Sequence, residues 1–397
     1  MESTRCDLCN SNDFEVARQE KQFEDGHYSG DKWYPVLTCI CKNCGHIYTN
    51  PKPTQEELAE FYSRQLRESF QVSRGEKVGL NAADAAYLTE VVGRGENRKA
   101  IEIGSYTGYM LNHLHNAGWD VEGLEPNVDS AQRSRELFDF LIHVDTLENF
   151  EAAQKYDLVF AGGVLEHVSS PSSFLGKINA ILNVGGYVYI RVPNIESTDY
   201  DTAADLFIIE HLHNFSQKSL EMFFEKMGFK LVATSVHDKF RRSFVGIGQK
   251  VAEVDNVPAF NFKSQYHEMS DRLAKYDQHI NEERRKVDTK IRRAIDKGQT
   301  LAVYGAGTHT EFLFRYTSLG QSDLKYVIDS NPKKAGIDFM GHKVIQPLEL
   351  KHKSIGAIVI SSRAFQEEIF EKLKYLEPLG IELIRLYDVD KSKYRLT

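Results

Sequence analysis

Long apolar runs are missing from this sequence: nowhere do about 18 consecutive apolar residues occur, so no membrane-spanning helix is expected. The opening residues, Met1-Glu-Ser-Thr-Arg5, lack the apolar segment of a secretory leader, and a cytoplasmic location is expected. An excess of positive charge is absent too, with 49 Lys and Arg against 57 Asp and Glu and a net charge of -8. Binding a phosphate backbone needs clustered Lys and Arg, so nucleic acid is not expected as a partner. Cysteine is confined to the start, all five falling within the first 44 residues. What is present, 397 residues of which 41% are hydrophobic, suffices to bury two or more cores.

Cys6-Asp-Leu-Cys9 and Cys41-Lys-Asn-Cys44-Gly45 are two C-x-x-C turns, each able to aim both sulfurs at one tetrahedral ion. Cys6, Cys9, Cys41 and Cys44 are the expected ligands of a structural zinc ion in a domain spanning residues 1–60. Free or redox-active thiols are the competing reading, disfavoured because no thioredoxin-like context surrounds either pair. Cys39 could replace Cys41, but Cys41 keeps the two-residue gap, so Cys39 is read as a packing residue. Four thiolates close the coordination shell, and such a metal holds a fold without doing chemistry. Residues 1–60 carry six Lys or Arg against eleven Asp or Glu, which speaks against nucleic-acid binding by this ribbon.

The stretch Lys99 to Met110 is the strongest candidate for holding a cofactor. An apolar strand ends in Gly104 and Gly108 and turns into an amphipathic helix, a geometry that brings backbone amides close to a ligand. A second strand, Val121 to Leu124, ends on Glu125, placed to accept hydrogen bonds from a ribose diol. The spacing is G-x-x-x-G with Tyr106 between, so a dinucleotide pyrophosphate would be crowded. Further strands are expected at Leu141–Val144, Leu158–Phe160 and Tyr187–Val192, with helices between them. That alternation predicts an α/β, doubly wound parallel sheet over residues 61–254, with Gly104, Glu125, Asp145, Gly162 and Asn194 at its ligand-bearing strand ends. Thr54 and Glu57 form a capping-box pattern, and residues 62–77 are read as a cover over the cofactor. Lys230–Val236 and Ser243–Ile247 close the sheet as a hairpin.

A linker and long helix occupy 255–297. Tyr266, Met269, Leu273, Tyr276, Ile280, Glu283, Val287 and Ile291 follow steps of three and four over roughly 36 residues, ~50 Å at 1.5 Å per residue. The helix reads as a bridge packed on both flanks, with a dimer seam as the competing reading; the oligomeric state is not given. Residues 298–397 begin a second, Rossmann-like unit, with Gly305-Ala-Gly307 after one strand and Asp329 ending the next. Thr310 stands where the dinucleotide pattern has its third glycine, which favours a degenerate scaffold or sugar-nucleotide subsite over an NAD site.

Glu102-Ile-Gly-Ser-x-Thr-Gly108, Glu125, Asp145 and Phe160-Ala-Gly-Gly-Val-Leu-Glu-His-Val168 together resemble the class I S-adenosylmethionine-dependent methyltransferases. With the cysteine turns and Tyr304-Gly-Ala-Gly307 followed by Val327-Ile-Asp-Ser-Asn-Pro-Lys333 and Gly336, nearly the whole chain resembles the three-domain bacterial C-methyltransferases of nucleotide-linked deoxysugars. The family's stretch Tyr-His-Glu-His-x-x-Tyr-Phe-Ser corresponds to Ile208-Ile209-Glu210-His211-Leu212-His213-Asn214-Phe215-Ser216, where Ile208, Ile209 and Asn214 depart from the pattern. The resemblance implies S-adenosylmethionine as cofactor and a small, nucleotide-linked keto-deoxysugar as substrate. Expected cofactor-binding residues are Glu102, Gly104, Ser105, Tyr106, Gly108, Glu125, Pro126, Asp145, Gly162, Glu166 and His167, the last also readable as a packing residue.

Methyl transfer demands alignment of an acceptor and removal of its proton. His211 is the expected general base, since imidazole titrates near neutral pH. Glu210 or Glu166 would orient it, and His213 is a further catalytic candidate. Lys239, Arg241 and Arg242 would suit a diphosphate, or form a solvated face. An oxygen or nitrogen acceptor on another small substrate, and a non-catalytic nucleotide-binding or assembly protein, are the alternatives.

Overall fold

The computed structural model describes residues 1–23, 33–54, 56–57, 74–197, 206–236, 243–256, 262–322, 324–352, 354–363 and 365–388. Most of the cover expected over 62–77, and the basic run Lys239, Arg241 and Arg242, lie outside them. The chain divides into two compact units, one built from Met1–Gln22, Tyr34–Asp199 and Leu206–Leu273, the other mainly from Ala274–Thr397.

The first unit opens with β1 (Phe14–Phe23), β2 (Trp33–Cys41) and β3 (Ile47–Thr49). After α1 (Arg74–Val92) come β4 (Lys99–Ile103), α2 (Tyr109–Asn116), β5 (Asp120–Leu124), α3 (Val128–Phe138) and β6 (Leu141–His143). There follow β7 (Tyr156–Gly162), α4 (Pro171–Ile181), β8 (Leu182–Pro193), β9 (His213–Asn214), α5 (Gln217–Lys226), β10 (Phe229–Ser235) and β11 (Ser243–Lys250). The main sheet has the order β10-β11-β8-β7-β4-β5-β6. β4 to β8 are parallel, and β11 runs against both β8 and β10. This is the expected doubly wound sheet closed by a hairpin.

Both faces of that sheet are covered, and strand parity decides which side chain goes where. Ile101, Ile103, Val159, Ala161, Val188, Ile190 and Val192 enter one core with α4 and α5. Ala100, Leu158, Phe160 and Tyr189 face the other, with Met110, Leu111 and Leu114 of α2. Crossover helices on two sides demand such near-continuous apolar strands.

β9 does not join the main sheet. It closes the ribbon's own sheet, in the order β1-β2-β3-β9, pairing Tyr48 with His213 and Ile47 with Asn214. Asn194, just past β8, bridges to Phe215. The stretch between the fifth parallel strand and α5 is therefore shared between core and ribbon. Asp7, between the first two cysteines, accepts from Ser170 Oγ and the Ser172 N–H, both at 2.7 Å, capping α4. The expected capping box is present: the Thr54 N–H donates to Glu57 Oε2 at 2.8 Å and the Glu57 N–H to Thr54 Oγ1 at 3.2 Å.

α6 (Tyr266–Asp296) is 31 residues long. It starts against the second cysteine turn, where the Gln265 N–H donates to the Cys44 carbonyl. Gly45, at φ +85°, is obligatory there, because a Cβ would lie 2.6 Å from the Gln265 carbonyl carbon. The second unit contains β12 (Leu301–Tyr304), α7 (Thr308–Tyr316), β13 (Leu324–Ile328), β14 (Asp338–Phe339), β15 (His342–Ile345), β16 (Ala357–Ile360), α8 (Gln366–Leu373) and β17 (Glu382–Arg385). Its strand order is β14-β15-β13-β12-β16-β17, parallel except for β14. Val287, Ile291 and Ala294 of α6 pack with Leu301, Val303, Val327 and Val359 in its core. No helix among the described residues is long and apolar enough to cross a membrane.

Candidate active site

The turn after β4 is built around Glu125. The Tyr106 N–H donates to its Oε2 at 2.8 Å and the Asn127 N–H to its Oε1 at 2.9 Å, so the carboxylate is held rigidly beside the turn. Gly104, Tyr106 and Gly108 have φ of 72°, 46° and 78°. A tyrosine rarely adopts this region, and here the conformation turns its amide toward Glu125. The glycines serve packing as much as ligand approach. A Cβ on Gly108 would lie 2.2 Å from Ser134 Oγ of α3, and one on Gly104 2.9 Å from Val164 Cγ2.

Glu102 is 6% exposed, and burial followed by the nearby Glu125 charge pushes its carboxyl well above the usual range. Burial also raises Glu125, opposed by the two amides. Among the described residues, Glu102 Oε2 and Ser105 Oγ are buried polar atoms without a hydrogen-bond partner, which a polar ligand at this turn would satisfy. The donor set therefore fits a nucleoside. Pro126 is exposed beside it. Asp145, two residues beyond β6, accepts from the Thr146 N–H at 2.8 Å. Gly162 ends β7, where a Cβ would lie 3.0 Å from an Arg191 guanidinium nitrogen.

A second cluster stands next to this turn, because β4 and β7 are neighbours and Val164 follows β7. Ligand atoms of Glu166, His167 and His211 lie within 4.8 Å of one another. His167 Nδ1 bonds the Glu210 carbonyl at 3.0 Å, and His211 Nδ1 bonds the Leu206 carbonyl at 2.6 Å. Each imidazole thus donates through Nδ1, the tautomer assigned from these bonds, and carries its lone pair on Nε2. The two rings meet edge to face at 5.0 Å. Burial drives His167 down to about 3 and the Glu166 carboxyl up to about 8.

His213 stands apart from this cluster, contrary to the expectation that it shares the pocket of His211. It is 3% exposed, in the seam with the ribbon. The His46 Nε2–H donates to its Nδ1 at 3.0 Å, and its Nε2–H to the Ser169 carbonyl at 3.4 Å. Burial lowers His213 to about 4. Sequence spacing could not separate the two histidines, because residues two apart on a strand would share a face; here His211 lies before β9 in a turn closed by its N–H on the Ile208 carbonyl, and only His213 is placed by pairing with Tyr48.

In the ribbon, Cys6, Cys9, Cys41 and Cys44 form a four-thiol cluster. Cys6 and Cys44 sulfurs are 3.6 Å apart and those of Cys9 and Cys41 3.5 Å. A tetrahedral ion with sulfur at 2.3 Å wants them about 3.8 Å apart, so the residues fit a zinc-sized ion. Cys39 lies outside the cluster, its thiol 3.5 Å from the Asn50 carbonyl and pushed up to about 11 by burial.

Sequence reasoning missed the fastenings of this site. Asp84 of α1 is buried and accepts from Tyr189 Oη at 2.8 Å and from Arg191, in a pair 107 residues apart in sequence. Thr49 reaches across to the His211 carbonyl and Lys52 to the Ser169 carbonyl. In the second unit the Glu125 geometry recurs: Asp329 accepts from the Ala306 N–H at 2.9 Å and the Asn331 N–H at 2.8 Å. His309 there bonds Ser361 Oγ at 2.8 Å and Tyr387 Oη at 2.5 Å, filling the end of β12 with protein contacts.

Comparison with known proteins agrees with this anatomy. A methyltransferase-domain model matches residues 56–234, and a model of the C-methyltransferase C-terminal domain matches residues 245–386. C-methyltransferase NovU of Streptomyces niveus is 23% identical over 266 residues, covering 64% of this chain and 63% of that protein. A ubiquinone biosynthesis O-methyltransferase of Bradyrhizobium sp. (strain ORS 278) is 25% identical over 103 residues, 24% of this chain and 40% of that protein. The chain thus spans less than two thirds of the length of either relative. The crystal structure of Burkholderia thailandensis 1,6-didemethyltoxoflavin-N1-methyltransferase aligns with a TM-score of 0.41 and 16% identity, over 52% of this chain and 96% of that one. By strand order, glycine turn and domain match, the chain carries a class I S-adenosylmethionine-dependent methyltransferase domain. A four-cysteine cluster precedes that domain and a C-methyltransferase C-terminal domain follows it.

Proposed function

We propose that this protein transfers a methyl group from S-adenosylmethionine to a carbon of a small, nucleotide-linked keto-deoxysugar in glycan or natural-product biosynthesis, with His211 as general base. One observation carries the reading. The cofactor turn touches the histidine cluster, Gly104 lying against Val164 at the start of the turn that holds Glu166 and His167. The C-terminal domain match and the relation to NovU favour carbon as acceptor.

Glu125 would take the ribose diol, with Glu102, Gly104, Ser105, Tyr106, Gly108, Pro126 and Gly162 around it and Asp145 toward the adenine. Bound S-adenosylmethionine supplies an activated sulfonium methyl, so the protein has to align an acceptor and take its proton. His211, with Nδ1 tied to the Leu206 carbonyl, offers Nε2 for the proton on the carbon beside the ketone. Glu210 is assigned to orient this pair, its carbonyl anchoring His167. His167, held neutral by burial, shapes the pocket without competing for the proton. His213 is assigned to the ribbon seam. We infer that the ribbon ion is zinc and that its role is structural.

Mixing the protein with labelled S-adenosylmethionine and a panel of sugar nucleotides should yield a methylated sugar, with deuterium exchange at the carbon beside the ketone. Label found in protein or RNA alone would overturn the reading. A second reading, an oxygen or nitrogen acceptor, is favoured by Ile208, Ile209 and Asn214 at positions where the family pattern differs; product mass spectrometry without carbon exchange would select it.

A further inference from the structure

We propose that Thr49 is a positioning residue for His211, so that the metal-binding ribbon sets the geometry of the base. The inference rests on the reading of His211 given above. Thr49 ends β3, five residues past Cys44, and is 2% exposed. Its N–H donates to the Leu212 carbonyl at 2.9 Å, and its Oγ1–H to the His211 carbonyl at 3.2 Å. One side chain with its own amide thus grips two consecutive carbonyls, the first belonging to the base itself. His211 is also held within its own segment: its N–H donates to the Ile208 carbonyl and its Nδ1–H to the Leu206 carbonyl. Such local bonds shape the loop but do not place it; a bond from a separate element does.

The rest of the seam has the same sense. Tyr48 and Ile47 continue the pairing with His213 and Asn214, and the His213 N–H donates to the Glu166 carbonyl at 3.2 Å. Lys52 Nζ donates to the Ser169 carbonyl at 2.9 Å, while Asp7 holds Ser170 and Ser172. Both segments of the cluster, 163–169 and 206–213, are therefore fastened to the ribbon. A domain this small depends on its cross-link for shape, and here that shape is transmitted through Thr49.

The test uses the full chain with its metal content measured. Thr49→Val removes the hydroxyl at nearly constant shape, and Thr49→Ser retains it. In Thr49→Val, kcat should fall about tenfold, as for a slightly misplaced catalytic group. KM for S-adenosylmethionine, calorimetric affinity for S-adenosylhomocysteine and zinc per chain should stay within about twofold of wild type, a margin small beside one hydrogen bond. Thr49→Ser should recover the wild-type kcat. In nitrogen-15 imidazole spectra, the His211 signals, assigned by loss in His211→Gln, should move in Thr49→Val toward those of free histidine. Unchanged His211 signals and kcat in Thr49→Val would overturn the proposal, as would joint loss of zinc and cofactor affinity, which marks a general folding role. If wild-type protein methylates no acceptor, the base assignment fails by itself, and the imidazole spectra alone decide about Thr49.

Discussion

At the scale of single residues, environment decides what each carboxyl and imidazole can do. Glu125 keeps two amide donors, and a neutral isostere would lose the charge that makes those bonds strong. Glu125→Gln should weaken S-adenosylhomocysteine binding by about tenfold to a hundredfold in calorimetry, as expected for a hydrogen bond to a charged group. Glu166 is different. Its carboxyl, raised by burial from 4.5 to about 8, stays protonated in the fold over a range where the unfolded chain has released the proton. Its share of stability is whole below pH 4.5 and is lost as pH rises toward about 8. The loss can reach at most about 1.4 kcal/mol per pH unit. Thermal melts should therefore show Glu166→Gln close to wild type at acid pH and more stable than wild type near pH 8.

At the scale of elements, the glycine turn is a joint between α2 and α3 as well as the proposed cofactor cradle. Gly108→Ala puts a Cβ 2.2 Å from Ser134 Oγ at φ +78° and should cost about 2–4 kcal/mol in denaturant unfolding, overpacking and left-handed strain together. Gly185 is the control: φ is +84° and a Cβ would meet nothing within 4 Å, so Gly185→Ala should cost about 1–2 kcal/mol from strain alone. The elements themselves were largely legible. Apolar alternation and glycine stops located β4, β5, β7, β8 and α2 because those signals are local. α6 was legible by its period, although it closes at 31 residues rather than the roughly 36 its pattern suggested. β9 was not legible: two residues, His213 and Asn214, carry no periodicity, and they are a strand because β3 is there to pair with them.

At the scale of the whole molecule, two units carry their own cores, and the four-cysteine cluster belongs to the first. Calorimetry should resolve two transitions. A strong chelator should lower the one that reports the first unit by several degrees, leaving the other in place, because metal binding free energy is folding free energy for the ribbon. Histidine spectra recorded in parallel would show whether His211 loosens with it. The sequence by itself determined the two cysteine pairs that form the four-thiol cluster and the glycine turn with its acid, since each is written in spacing between near neighbours. The tertiary structure alone decided that His211 joins Glu166 and His167 while His213, two residues on, goes to the ribbon. It also decided that Thr49, Asp7 and Lys52 hold the cluster. Those contacts link residues 117 to 165 positions apart, and pairing across such distances depends on how strands and helices meet, which no local pattern of side chains encodes.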